Sequence, residues 1–236
     1  MPRSRPPLSP ERIVAAAVEV ADAGGLAAVS MRNVGKALGV EAMSLYHHMA
    51  GKEALLDALV EWVFAGIDLP RRGEPWRTAM RRRASSARER LAAHPWAIGL
   101  LESRTRPGPM LLRHHDAVLG SLRAGGFSVA DAAHAFSVID AYVFGFVVTE
   151  VNLPFDSPAD VEEIAAGMMA TMAPGEYPHL AELIESHALR PGYDHTAEFG
   201  FGLELILDGL ERLVGEGLPD RAGDTIPAPP RSSENP

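Results

Sequence analysis

The side chains with the most chemistry to offer are gathered in one short stretch. Ser30 to Lys52 reads SMRNVGKALGVEAMSLYHHMAGK, with a guanidinium, two hydroxyls, two imidazoles and an ammonium at Arg32, Ser44, Tyr46, His47, His48 and Lys52. Hydroxyls and cations suit phosphate oxygens, and arginine is the usual bidentate reader of guanine. The apolar residues among them show how they are held. Met31, Val34 and Leu38 recur at helical spacing on one face, Ser30 stands where an N-cap acceptor is wanted, and Gly39 falls where a left-handed residue ends a helix. Val40 is expected to bury itself in the corner. A second short helix, Ala42 to about Met49, takes Leu45 as its inward anchor and leaves Met43, Ser44, Tyr46, His47 and His48 on its outer faces. Two short helices around a glycine-centred corner have the pattern of a helix-turn-helix, and such an outward helix suits a DNA major groove.

No constellation of comparable clarity points to catalysis. There is no GxSxG elbow, HExxH, Walker loop or dinucleotide fingerprint. With no cysteine, disulfides, zinc ribbons and thiol catalysis are excluded, and the pattern suits a reducing cytoplasm. His114 and His115 are not a metal pair, because adjacent helix positions point about 100° apart. We therefore expect no cofactor, no metal and no enzyme. The opening MPRSRPPLSP has no apolar core of a signal peptide, and the later apolar runs read as too short to span a bilayer, so a soluble cytoplasmic protein without a membrane partner is expected.

A net charge of −9 is unusual for a nucleic-acid binder, but it is unevenly spread. Residues 1–130 carry 18 Lys and Arg against 12 Asp and Glu, and residues 131–236 carry 4 against 19. Charges beyond a Debye length are largely screened, so an acidic rear does not forbid a DNA-facing front. The head itself is nearly neutral, and many arginines lie further on, at Arg71, Arg72, Arg77, Arg81, Arg82 and Arg83. Charge alone supports DNA binding only weakly.

The positioning elements follow from caps and breakers. A first helix runs from Pro10 to about Ala23, with Ser9 as N-cap and Gly24-Gly25 as its stop, and Lys52 to Phe64 forms a helix with Leu55, Leu56, Leu59 and Val63 at core spacing. Leu69 to Pro75 reads as a linker. Beyond it there is no convincing strand, only helical segments near 76–93, 96–102, 109–124, 129–151, 158–172, 177–188 and 196–215. The expected fold is all-α: a three-helix helix-turn-helix head followed by a larger helical bundle for ligand sensing and dimerisation, with one sizeable core and a small satellite core. The expected division is an arm at 1–8, a head at 9–66, a linker at 67–75, a body at 76–216 and a tail at 217–236.

Two body helices stand apart. FSVIDAYVFGFVV is apolar on nearly every face, and Phe199, Leu203, Ile206, Leu210 and Leu213 step by four and three residues, the spacing of a packing seam. A monomeric bundle would use these residues internally. A homodimer would join Val143, Val147, Phe199, Leu203, Ile206 and Leu210 across an interface, as paired half-sites favour.

LGVEAMSLYHHMAGKEALLDAL, residues 38–59, resembles the DNA-binding domain of the TetR family of bacterial transcriptional regulators, through Leu38-Gly39-Val40, Leu45-Tyr46, His48 and Lys52. Trp76, Arg106-Pro107 and Gly125-Gly126-Phe127-Ser128 resemble the tetracycline-repressor type of C-terminal domain. The resemblance implies that Arg32 reaches a base or phosphate, that Ala42, Met43 and Ser44 lie against base edges, and that Tyr46, His48 and Lys52 hold the backbone. His47 is placed between a contact and an ordinary solvent-facing histidine. Ala42 departs from the glutamine of the tetracycline repressors, so a different operator is expected, with apolar contact to a thymine methyl in place of a polar one. Arg3 and Arg5 suit either a minor-groove arm or a solvated tail.

The resemblance also implies a palindromic double-stranded DNA operator and a small-molecule inducer, most often with release of a repressor. Tetracycline is not expected, because Asp68, Arg83, Ala87 and Glu102 stand where those repressors carry drug and metal ligands. Asp140 interrupts an apolar run and must meet an arginine, a histidine, a partner chain or a ligand donor. With it, His94, Trp96, Leu101, Met110, His114, Phe136 and Phe144 are the candidates for a pocket wall, each of which can equally be an ordinary core or surface residue. A protein-binding adaptor using the same head, or a small all-α enzyme, is the alternative.

Overall fold

The computed structural model describes residues 7–215 apart from 105, 156 and 174. The possible minor-groove arginines Arg3 and Arg5 and the tail at 217–236 lie outside the described residues. Among the described residues the chain forms helices and no strand.

In the head, α1 (Pro10–Ala28) is capped by the Ser9 hydroxyl, which accepts from the Arg12 N–H. The stop expected at Gly24-Gly25 is a kink instead. Gly25 leaves the helix at φ 69°, a left-handed angle that glycine takes without a Cβ penalty, and one further turn follows. Next come α2 (Met31–Leu38), α3 (Ala42–Leu45) and α4 (Lys52–Ala65). Ile13, Ala17, Val34, Leu45, Leu55 and Leu59 are fully buried among them. Truncating any one of these leucines to alanine removes about 2–5 kcal/mol.

The body consists of α5 (Trp76–Ala93), α6 (Trp96–Ser103), α7 (Pro109–Ala124), α8 (Val129–Glu150), α9 (Pro158–Thr171), α10 (Pro178–Leu183, continued by a π-helical turn Ile184–Ala188) and α11 (His195–Gly215). Small residues Ala79, Ala84 and Ala87 let α5 lie buried against α7, α8 and α11. At its start Trp76 meets Phe127 edge-on and covers Gly125, where a Cβ would come within 2.5 Å of the indole. Buried apolar residues of head and body form one cluster from α1 to α11, because α4 packs on α1 with one face and on α6 and α7 with others, while the buried Ala165 and Ile184 of α9 and the turn after α10 lie outside it.

α8 corrects one expectation. At 22 residues it is long and apolar enough to cross a bilayer. In this fold its apolar character is explained by packing: Ala132, Ala135, Ile139, Val143 and Val147 are buried against α5, α7 and α11.

The arginines of α5 face inward partners. Arg77 binds Glu204, Asp208 and Glu211 at 2.5–2.9 Å, Arg81 binds Glu204, Arg82 binds Asp68 and Glu74 at 2.8 and 2.9 Å, and Arg88 binds Glu150. These pairs lace α5 to α8, α11 and the 66–75 connection.

Candidate nucleic-acid interface and ligand cavity

The corner between α2 and α3 is built as its residue types require. The Ser30 hydroxyl accepts from the Asn33 N–H at 3.1 Å, and the Asn33 side chain donates to the Ala28 carbonyl at 2.8 Å. Gly39 closes α2 at φ 68°. Gly35, which carries no obvious signal in the sequence, is as important here: a Cβ on it would sit 3.0 Å from the Val40 carbonyl oxygen and 3.3 Å from the Ala42 nitrogen, so its absence lets the helices touch. Val40 is only half-buried. α3 is shorter than expected, ending at Leu45, and the chain continues to Met49 in turns whose His48 and Met49 N–H groups both donate to the Leu45 carbonyl.

Leu45 and Met49 anchor this segment inward, and Met43, Tyr46, His47 and His48 are exposed, Met43 by 73%. Ala42 and Ser44 are half-buried. Arg32 and Lys36 stand exposed on α2, and Lys52 is exposed as the first residue of α4. The Tyr46 ring lies 4.0 Å from where a Gly51 Cβ would be, which brings it next to the start of α4. An apolar tip, hydroxyls, imidazoles and cations thus project from α2, α3 and the α4 start, a set able to contact both phosphates and base edges. Lys36 went unnoticed in the sequence because a lysine near a helix end is unremarkable.

Behind the head, α4, α6, α7, α8 and the connection 104–108 enclose a cavity of about 630 Å3. Leu101, Asp140 and Phe144 line it, as the sequence suggested. The others lie elsewhere. His114 is fully buried with Nε2 2.7 Å from the Phe64 carbonyl oxygen, and its neighbour His115 is the one that reaches the cavity. Burial lowers the pKa of both imidazoles. Phe136 packs against His115 and under the Arg83 guanidinium. Met110 is part of the packing around the core, its N–H donating to Glu61 Oε2 at 2.9 Å.

His94 and Trp96 belong to the junction of head and body. Asp22 Oδ1 on α1 lies 2.8 Å from His94 Nδ1 and accepts from Trp96 Nε1 at 2.6 Å. Trp62 stacks on Trp96, and the Arg90 guanidinium lies 3.4 Å over Trp62. Their aromatic character suggested a pocket wall, and it serves an interhelical contact instead.

Asp140 finds the arginine its burial called for: Arg83 Nη1 donates to Asp140 Oδ1 at 2.6 Å, with Arg83 almost wholly buried. Glu61 was missed. The signal was present in Glu53, Asp57 and Glu61, spaced by four along α4 with no basic partner at helical spacing, so that the acidic ridge has to find its cations elsewhere. Arg104 supplies them for two of the three, binding Glu53 and Asp57 at 2.8 and 2.5 Å.

The expected dimer seam is also corrected. Val143, Val147, Phe199, Leu203 and Leu210 are at most 6% exposed within one protomer, and Ile206 is half-buried against the same core. They join α11 to α8 and α5 internally, because the period picked out the strongest apolar face of α11, which is the one its own core takes. Uncovered apolar residues include Phe201 and Leu205 on α11 and Val138 and Val148 on α8, with Val129 exposed at the start of α8.

Comparison with known proteins agrees with this geometry. Residues 13–59 match the family model for bacterial regulatory proteins of the tetR family, and residues 69–214 match the tetracyclin repressor-like C-terminal domain. The HTH-type transcriptional repressor DrrR1 of Streptomyces coeruleorubidus is 35% identical, over 94% of this chain and 83% of its own. The tetracycline repressor protein class C of Escherichia coli is 31% identical over 87% of this chain and 92% of its own. Among solved structures, the Streptomyces coelicolor TetR family protein ActR in complex with actinorhodin superposes with a TM-score of 0.73 at 26% identity, covering 90% of this chain and all of that one. The chain belongs to the TetR family of bacterial transcriptional regulators.

Proposed function

We propose that the chain acts in the cytoplasm as a homodimeric repressor that occupies a palindromic operator and is released when a small molecule enters the cavity behind α4. The observation that carries this reading is the position of α4. Its first residue, Lys52, stands at the DNA face, while Asp57, Ala58, Val60, Glu61 and Phe64 further along the same helix line the cavity. A ligand that prefers a different placement of α4 necessarily weakens DNA binding, since the coupling is reciprocal. ActR, solved with actinorhodin, is a precedent for a small molecule on this fold.

In this reading Arg32, Ala42, Met43 and Ser44 meet base edges, and Tyr46, His48 and Lys52 grip phosphates, with His47 beside them. The half-buried Ala42 offers no polar base contact, so the operator differs from that of the tetracycline repressors. The inducer differs as well: Asp68 is paired with Arg82, Arg83 with Asp140, and Ala87 is buried, which leaves none of the three for a drug–magnesium chelate. Dimerisation uses the exposed stripes Val138, Val148, Phe201 and Leu205, and a twofold axis through them pairs two heads with two half-sites.

Operators selected from random DNA by the purified protein test this directly. Recovery of an inverted repeat is expected, with Tyr46→Ala and Lys52→Ala weakening binding to all sequences and Arg32→Ala also changing the preferred site. Equal affinity for every sequence in a mobility-shift panel, or no inverted repeat, would refute it.

A further inference from the structure

The charged groups on the cavity wall are not equivalent. Arg104 is paired twice, with Glu53 and Asp57. Asp140 is held by Arg83 from outside the wall. Arg106 is exposed, so water screens it. Glu61 differs from all of these. Its Oε2 accepts from the Met110 N–H, whereas Oε1 is sealed from solvent without a hydrogen-bond partner, and among the described residues no cation lies within 4.0 Å of the carboxylate. Gly108 lies over that oxygen, and a Cβ there would collide with it. Arg104 and Gly108 therefore both rest on the acidic ridge of α4.

A buried polar atom left without a partner is costly, the more so when charged, and an occupant that supplies a donor recovers that cost. An anionic occupant would instead face Glu61 and Asp140. Given that the cavity is the inducer site, we propose that it selects a cationic amphiphile: an apolar frame packed against Phe64, Leu101, Leu111 and Phe144, with a protonated nitrogen that pairs with Glu61. Because Gly108 covers Oε1, the nitrogen reaches it as Gly108 moves aside, with Arg104 following. That movement draws Arg104 away from Glu53 and Asp57 on the helix that carries Lys52. Selection of the ligand and loosening of the head thereby use different carboxylates of one ridge on α4, Glu61 for the first and Glu53 and Asp57 for the second.

Two dyes on one xanthene frame separate charge from shape: the amino-bearing, cationic rhodamine methyl ester and its oxygen analogue, the anionic fluorescein methyl ester. Fluorescence anisotropy on the full chain is expected to show the cation binding at least roughly tenfold more tightly, the scale of one charge-assisted hydrogen bond. Glu61→Gln keeps an acceptor for Met110 but removes the charge, and should bring the preference to about threefold or less. Glu61→Asp, which keeps the charge, should retain a preference for the cation. Equal or tighter binding of the anion, no binding of the cation at about 100 μM, or an unchanged preference in Glu61→Gln with native circular dichroism would overturn the proposal. Phe144→Trp, which reshapes the cavity wall, separates the two layers of the reading. Weakened binding of both dyes in that variant, with a preference indifferent to Glu61→Gln, removes only the selection for cations. Affinities for both dyes that are unchanged by Phe144→Trp and by Leu101→Trp show that the cavity is not the site at all.

Discussion

Two leucines two residues apart on α11 should fail in opposite ways. Leu203 is 1% exposed and Leu205 is 59% exposed, so the first is a core residue of the protomer and the second has no cover within it. Truncating Leu203 to alanine should cost the protomer about 2–5 kcal/mol, seen as a lowered urea midpoint. Truncating Leu205 should leave that midpoint of the isolated protomer nearly unchanged, because little buried area is lost on folding. Its effect belongs to assembly. The exposed part of Leu205 amounts to on the order of 100 Å2, and at about 25 cal/mol per Å2 the leucine-to-alanine change removes about 2 kcal/mol of burial per copy. A twofold interface contains the residue twice, so the dimer loses about 4 kcal/mol, which corresponds to roughly a thousandfold rise in the dimer dissociation constant. Sedimentation velocity from nanomolar to micromolar protein reads this directly. A Leu205→Ala variant that dimerises like the wild type, or a Leu203→Ala variant that dissociates with its thermal stability intact, would refute the assignment of the two faces. Phe201, 67% exposed one turn earlier, provides the same test with a larger side chain.

Other perturbations follow from the same geometry. Burial lowers the pKa of His114 and His115 below the ordinary imidazole range, so the unfolded chain binds protons that the folded chain refuses. Their contribution is complete above the unfolded pKa and is lost as pH falls through it, and the urea midpoint should be lower at about pH 5.5 than at about pH 7.5, with a shallower slope in His114→Asn. Carboxylates such as Glu204, lowered to about 2 chiefly by its hydrogen bond with Arg81, stay ionised over that range and do not contribute to the change. Asp140→Ala strands the buried Arg83 guanidinium and should cost about 3 kcal/mol in urea denaturation, and Arg83→Met in the same chain should recover most of the loss, because an unpaired buried charge is worse than an apolar side chain. Gly39→Ala forces a Cβ into φ 68° and should destabilise the fold by about 1–2 kcal/mol by the same measurement, with operator affinity falling as the corner shifts.

What was legible in the sequence was the local grammar. Ser9 and Ser30 both cap the helices expected of them, because a cap is a contact between residues three apart and needs no knowledge of the fold. The Gly39 corner and the inward Leu45 were readable for the same reason. Distant partners were not. The need of Asp140 for a counter-charge followed from its apolar surroundings, yet that Arg83 would supply it depends on how α5 crosses α8. The aromatic pair His94 and Trp96 looked like a pocket wall because composition cannot distinguish a ring against a ligand from a ring against Trp62. The dimer seam failed in a more instructive way. On α11 the regular apolar stripe is the one the protomer buries, and the second, thinner stripe through Phe201 and Leu205 is hidden in the sequence by Glu204 and Asp208, which are acidic to hold Arg77 and Arg81.

Those ion pairs also resolve the charge imbalance that made DNA binding look doubtful. Arg77, Arg81, Arg82 and Arg83 contribute much of the positive charge of the first half of the chain, and each of them is paired with a carboxylate in the body or the connection to it. They add little to the field at a phosphate. Among the described residues, the attraction must therefore come from the few cations exposed on the head, Arg32, Lys36 and Lys52, and the acids nearest to them matter as much. Glu53 follows Lys52 directly and would oppose it, but Arg104 reaches across from the cavity rim and binds it at 2.8 Å. Withdrawing Arg104 restores that opposing charge beside Lys52, within a Debye length of any phosphate Lys52 holds. The cavity rim thus acts on DNA affinity through electrostatics even before α4 moves. This coupling predicts that Glu53→Gln, which removes the opposing charge, reduces the affinity lost on release in a mobility-shift titration, whereas a purely geometric displacement of the heads would leave that loss unchanged by the substitution.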